Sequence, residues 1–106
     1  MFTSSMIHFG GDEVILYCWK NNKEIDEYMQ KNNIKTTTEL FNKFISNSYQ
    51  TVWKVTDKDL IYWLDEFSFE FDYPNNQILQ YWGDAAKVKD FANRYPQNWH
   101  ILSMEE

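Results

Sequence analysis

The chain has 106 residues, 43% of them hydrophobic and 19% aromatic. That describes one small domain, residues 1–106, with enough aromatic area to build a core, and it excludes a disordered tail. Cys18 is the one cysteine, which excludes an intrachain disulfide and a cysteine-based zinc site.

The formal net charge of −6 is unevenly placed. Acids and bases balance over residues 1–56 and again over 87–106. The excess lies in 57–86, where Asp57, Asp59, Asp65, Glu66, Glu70, Asp72 and Asp84 face only Lys58. A field of that sign repels nucleic acid and attracts basic surfaces. No basic, apolar leader opens the sequence, no lipidation motif is present, and the apolar runs VILYCW and LIYWL are far too short to span a membrane. The expectation is a soluble cytoplasmic protein.

In chain order, MIHF (residues 6–9) and EVILYCW (13–19) read as two strands joined by a Gly-Gly-Asp turn. Cys18 falls in the second, where a buried, inert thiol is expected. Asn22 opens a helix with Ile25, Tyr28 and Met29 on one face, and Asn32-Asn33 closes it. Thr36 to Glu39 has the form of a capping box. The helix after it shows Leu40, Phe41, Phe44 and Ile45 on a stripe that fades at Ser46-Asn47-Ser48.

TVWKV (51–55) reads as a strand, and residues 57–66 as either a capped helix or a hairpin arm, with the hairpin favoured. From 66 the alternation is in strand period: Phe67, Phe69, Phe71 and Tyr73 on one face, Glu66, Ser68, Glu70 and Asp72 on the other. Pro74-Asn75-Asn76 supplies a turn and ILQYW (78–82) the returning strand. Asp84 is an N-cap for a helix carrying Val88, Phe91, Ala92 and Tyr95, which Pro96 stops. WHILSM (99–104) closes the chain as a strand. The fold expected is α+β, a mostly antiparallel sheet with about three helices packed on one face.

Catalytic signatures are thin. His8 and His100 sit in no nucleophile motif, and no glycine-rich phosphate loop is present. His8, Asp12 and Glu13 could meet around the Gly-Gly turn as metal ligands, but without recognisable ligand spacing they read as a solvated turn. Asp65-Glu66, or Glu70 with Asp72, could serve a glycosidase only inside a cleft. No catalytic residue, metal or cofactor is expected, and the protein is read as a binding protein, not an enzyme.

The acidic array instead reads as a docking surface. Asp57, Asp59, Asp65, Glu66, Glu70, Asp72 and Asp84 would face a basic protein, with Tyr62 as an aromatic anchor, and Trp63, Tyr81 or Trp82 beside it. In its acidic hairpin SFEFDYPNNQILQYW and the unit WGDAAKVKDFANRYPQNW, the chain resembles bacterial immunity proteins of polymorphic-toxin and contact-dependent-inhibition systems. The resemblance implies inhibition of a nuclease toxin by covering its nucleic-acid-binding surface. A phage-encoded DNA mimic and a regulatory module with a merely solvating acidic face are the alternatives. Neither nucleic acid nor membrane is an expected partner, and self-pairing through an aromatic edge strand stays open.

Overall fold

In a computed structural model describing residues 3–65, 68 and 70–103, four strands form one sheet in the order β1-β2-β3-β4. They are β1 (Met6–Gly10), β2 (Asp59–Leu64), β3 (Ile78–Trp82) and β4 (Trp99–Ser103). Every neighbouring pair is parallel. The expected antiparallel α+β sheet is therefore corrected to a parallel α/β one. Parallel neighbours need a crossover instead of a tight turn, and helices α1 (Lys23–Lys31) and α2 (Thr37–Val55) supply the first, α3 (Val88–Arg94) the last.

The caps expected for these helices form. Asn22 accepts the N–H groups of Glu24 and Ile25, and Thr36 Oγ1 accepts that of Glu39. The Glu39 carboxylate reaches back to the Lys35 N–H at 2.8 Å. Two strand expectations fail nearby. Residues 13–19 leave the sheet and end in a 3-10 turn, Leu16–Trp19, so the 6–19 hairpin does not exist and Cys18 is exposed. Residues 51–55 are the last turns of α2. The helical stripe does not fade at Ser46: buried Phe41 and Ile45 continue at four- and three-residue steps into Tyr49 and Val52, which pack on the same core.

Strand β2 alternates cleanly, with Leu60, Tyr62 and Leu64 buried. These side chains share a face with Leu79 and Tyr81 of β3 and pack with Phe41, Ile45, Phe71, Tyr73, Phe91 and Tyr95. The opposite face carries Ile61, Trp63, Ile78 and Trp82, half-buried, and the exposed Met6, Trp99 and Ile101.

The stretch read as an acidic strand is not one. Glu66, Phe67 and Phe69 lie outside the described residues. Ser68 and Glu70 are in 3-10 conformation and residues 71–73 follow without regular structure; Phe71 N–H bonds Ser68 O, and Asp72 N–H donates to Asn42 Oδ1 of α2 in place of a strand partner. The alternation still sorts side chains, since Phe71 and Tyr73 are buried while Glu70 and Asp72 face water. Tyr95 Oη pins this connection through the carbonyls of Ser68 and Phe71, at 2.7 and 2.8 Å. Beyond it, buried Gln77 accepts the Leu60 N–H at 2.7 Å and closes the other end of the sheet. Among the described residues no helix is long and apolar enough to cross a membrane.

Candidate active site

Ligands on parallel α/β sheets gather at the carboxyl ends of the strands, where the loops diverge. Here those ends carry Gly10, Leu64, Trp82 and Ser103. A cleft of about 240 Å³ opens beside three of them, lined by Glu13, Asp65, Tyr81, Trp82, Gly83, Asp84 and Lys87.

Glu13 reaches it by a sharp exit from β1. Gly10 and Gly11 take φ of +78° and +96°, and Glu13 itself takes +52°. A Cβ at either glycine would meet nothing within 4 Å, so the backbone conformation, not space, calls for glycine there. A left-handed glutamate is unusual and needs outside support. Asp65, directly after β2, accepts the Glu13 N–H on Oδ2 at 2.6 Å. Its Oδ1 accepts both the N–H and the Oγ–H of Ser68, at 3.0 and 2.9 Å.

On the same turn as Gly10, its N–H donates to His8 Nδ1 at 3.1 Å. Its Nε2 lies 3.2 Å from Gln80 Oε1, in position to donate to it. His8 also lies against Trp63, ring centroids 4.7 Å apart. It is held within the sheet, and among the described residues no three His, Cys, Asp or Glu side chains converge as a metal site.

The far wall comes from β3. Tyr81 donates its hydroxyl to the Asp84 carbonyl, and the Asp84 carboxylate caps the following turn through Ala86 N–H, both at 2.9 Å. Trp82 Nε1 is buried and has no hydrogen-bond partner among the described residues. The cleft thus carries the exposed carboxyl groups of Glu13 and Asp84, the second already capping a turn, with the buried Asp65 carboxylate, the half-buried Trp82 ring and the Lys87 ammonium group. Such a set can hydrogen-bond a polar ligand and exchange protons with it.

The residues expected to form one acidic face are dispersed. Asp57 and Asp59 are exposed at the amino end of β2, opposite the cleft. Tyr62 is fully buried in the core. Glu70 and Asp72 lie against α2 and α3, near Thr38, Asn42 and Arg94. Asp65 and Asp84 meet at the cleft, and Glu66 lies outside the described residues. Sequence reasoning weighed Glu13 at the Gly10-Gly11 turn only as a metal ligand and read it as solvated, and it gave Lys87 no place in a site. The available signal was a strand-like MIHF running into two glycines and then two acids, the pattern of a strand-end turn that presents carboxylates.

The model of the glycosyl hydrolase family 20 catalytic domain matches residues 1–103. The chain belongs to glycosyl hydrolase family 20. Among its relatives are β-hexosaminidase subunit B1 of Dictyostelium discoideum, 30% identical over 89 residues, and the human β-hexosaminidase subunit beta, 27% identical over 92. The mouse subunit alpha is 28% identical over 89. These alignments take in 83%, 87% and 84% of this chain but only 16%, 16% and 17% of the relatives. The chain thus spans about one sixth of their length.

Family membership overturns the resemblance to immunity proteins, and with it the reading as a nuclease inhibitor and as a protein unrelated to enzymes. The acidic excess drew that reading because its members are contiguous in sequence. Among the described residues the fold separates them: Asp57 and Asp59 stand at the amino end of β2, Asp65 at its carboxyl end, Glu70 and Asp72 by α2 and Asp84 after β3.

Proposed function

We propose that this chain carries the proton donor of a glycosidase acting on β-linked hexosaminides, and that the donor is Glu13. The observation that carries the reading is the placement of Glu13, exposed on a left-handed turn at the carboxyl end of a parallel strand and lining a cleft with Trp82. Membership of family 20 and the names of the β-hexosaminidase relatives support the substrate class.

In this scheme the Glu13 carboxyl group gives its proton to the glycosidic oxygen as the bond to the anomeric carbon breaks, and the bonding electron pair leaves with that oxygen. Water then adds to the anomeric carbon and returns a proton to Glu13, so one sugar and one alcohol are released per water consumed. Glycosidases commonly use a second carboxylate as nucleophile, but both aspartates of the cleft are engaged, Asp65 by Glu13 and Ser68 and Asp84 by Ala86. A group of the substrate itself takes that part, as substrate-assisted family 20 catalysis does. The half-buried Trp82 ring on the cleft wall suits the apolar side of a pyranose.

The test compares release of the aryl alcohol from an aryl β-hexosaminide and from the matching aryl β-hexoside without the 2-amino group. The reading expects the first to react faster by at least about 100-fold. Equal rates, or no release from either, would contradict it.

A further inference from the structure

We infer that Asp65 is the positioning residue of this site: it holds the proton donor in place through the backbone, without touching substrate. The inference rests on the reading of Glu13 as proton donor and goes beyond it by assigning what keeps Glu13 where it must be.

The observations are geometric. Asp65 is 3% exposed, so its carboxylate is almost wholly withdrawn from any ligand in the cleft. Its Oδ2 grips the main-chain N–H of a residue 52 positions earlier in sequence, at 2.6 Å, a close contact of an amide donor with a charged acceptor. The grip has no slack. Oδ1 is held by Ser68 N–H and Oγ–H, and Ser68 Oγ in turn accepts the Asp65 N–H at 3.1 Å. The carboxylate therefore cannot rotate without breaking several bonds at once.

What it holds needs holding. The chain leaves β1 through two glycines with positive φ, a hinge with little stiffness of its own, and then asks a glutamate to adopt φ of +52°. A hydrogen bond to the Glu13 amide fixes that peptide plane and hence the origin of the Glu13 side chain. It also ties the end of β1 to the end of β2, the two strands that must keep their relative height for the cleft to exist. No other residue type fits this task as well. An asparagine presents one oxygen, so either Glu13 N–H or Ser68 N–H would face an NH₂ group. A glutamate would overfill a site that is already buried.

The experiment uses the intact protein and two aryl β-hexosaminides. One has a strongly acidic phenol, which departs without help from a proton. The other has a weakly acidic phenol, which needs the proton from Glu13. Asp65→Asn is expected to lower kcat about 100-fold on the second substrate, with little change on the first and no change in KM on either. In the amide NMR spectrum the Glu13 N–H, far downfield when bonded to a carboxylate, is expected to move upfield in the variant. Ser68→Ala leaves the grip on Glu13 and the Ser68 N–H bond to Oδ1 but removes the Oγ–H donor and the acceptor of the Asp65 N–H, so it loosens the carboxylate, and it serves where Asp65→Asn fails to fold. It is expected to show the same dependence on leaving group in smaller measure.

Equal loss on both substrates, in whichever variant folds, would overturn the assignment, because a merely structural role damages both reactions alike. Unchanged rates on both would overturn it too. A wild-type protein that hydrolyses neither substrate would instead bring down the reading of Glu13 itself, and the role of Asp65 with it.

Discussion

Tyr81 donates its hydroxyl to the carbonyl of Asp84 at 2.9 Å, and the turn that makes this contact passes over the ring at Gly83. A Cβ on Gly83 would sit 3.1 Å from Tyr81 Oη, and the backbone there has φ of +130°. Gly83→Ala therefore meets a steric and a conformational obstacle together. It should destabilise the fold by about 1–3 kcal/mol, read as a lower urea midpoint at unchanged m-value. Tyr81→Phe, which loses one hydrogen bond and no packing, should cost about 1 kcal/mol. A Gly83→Ala variant as stable as wild type would show that this turn is free to rearrange.

Two other buried tyrosines should respond to loss of the hydroxyl with opposite signs. The Tyr95 hydroxyl proton is shared between the carbonyls of Ser68 and Phe71, and Ser68 O keeps the Phe71 N–H, so Tyr95→Phe takes a buried donor from Phe71 O and should lose about 1–3 kcal/mol. Tyr62 Oη is buried without a partner among the described residues. Tyr62→Phe removes an unsatisfied polar atom and should gain about 1 kcal/mol. Equilibrium unfolding of the pair decides the matter, and two changes of the same sign would contradict these hydrogen-bond assignments.

Alkaline stability follows from the same side chains. Burial pushes the Tyr95 hydroxyl up to about 12 and raises those of Tyr62 and Tyr73 further. The folded state thus keeps protons that the unfolded chain gives up near pH 10. Their contribution is fully present below that pH and is lost as pH rises through the folded values. Each tyrosine so shifted removes about 1.4 kcal/mol per pH unit over that window. Tyrosinate absorbance and circular dichroism should therefore change together above pH 10. A protein whose tyrosines all ionise near pH 10 with its structure intact would refute this.

How much of this was legible beforehand differs by element. The Asn22 and Thr36 caps are local chemistry, written in three or four consecutive residues, and they appear where expected, whereas Asp84 caps the 3-10 turn Ala85–Lys87 ahead of α3 and not α3 itself. Strand direction is not local. Pro74-Asn75-Asn76 looks like hairpin chemistry, yet Asn76 N–H bonds Gln97 O and the chain reaches β3 parallel to β2. The turn residues serve a longer connection. Val52 and Val55 favoured a strand by type, but Val52 belongs by position to the Phe41–Ile45–Tyr49 stripe, and tertiary packing decided. The site was the least legible part. Glu13, Asp65 and Trp82 are far apart in sequence and meet only because three parallel strands end side by side.

The central claim is that Glu13 gives the proton that breaks the glycosidic bond. The most direct measurement is kcat of Glu13→Gln on an aryl β-hexosaminide with a weakly acidic leaving group. Glutamine keeps the size of the side chain and the main-chain N–H that Asp65 accepts, so fold and KM should be retained. The expected result is a fall in kcat of about 10²–10⁴-fold. A Glu13→Gln protein that turns over as fast as wild type would contradict the account.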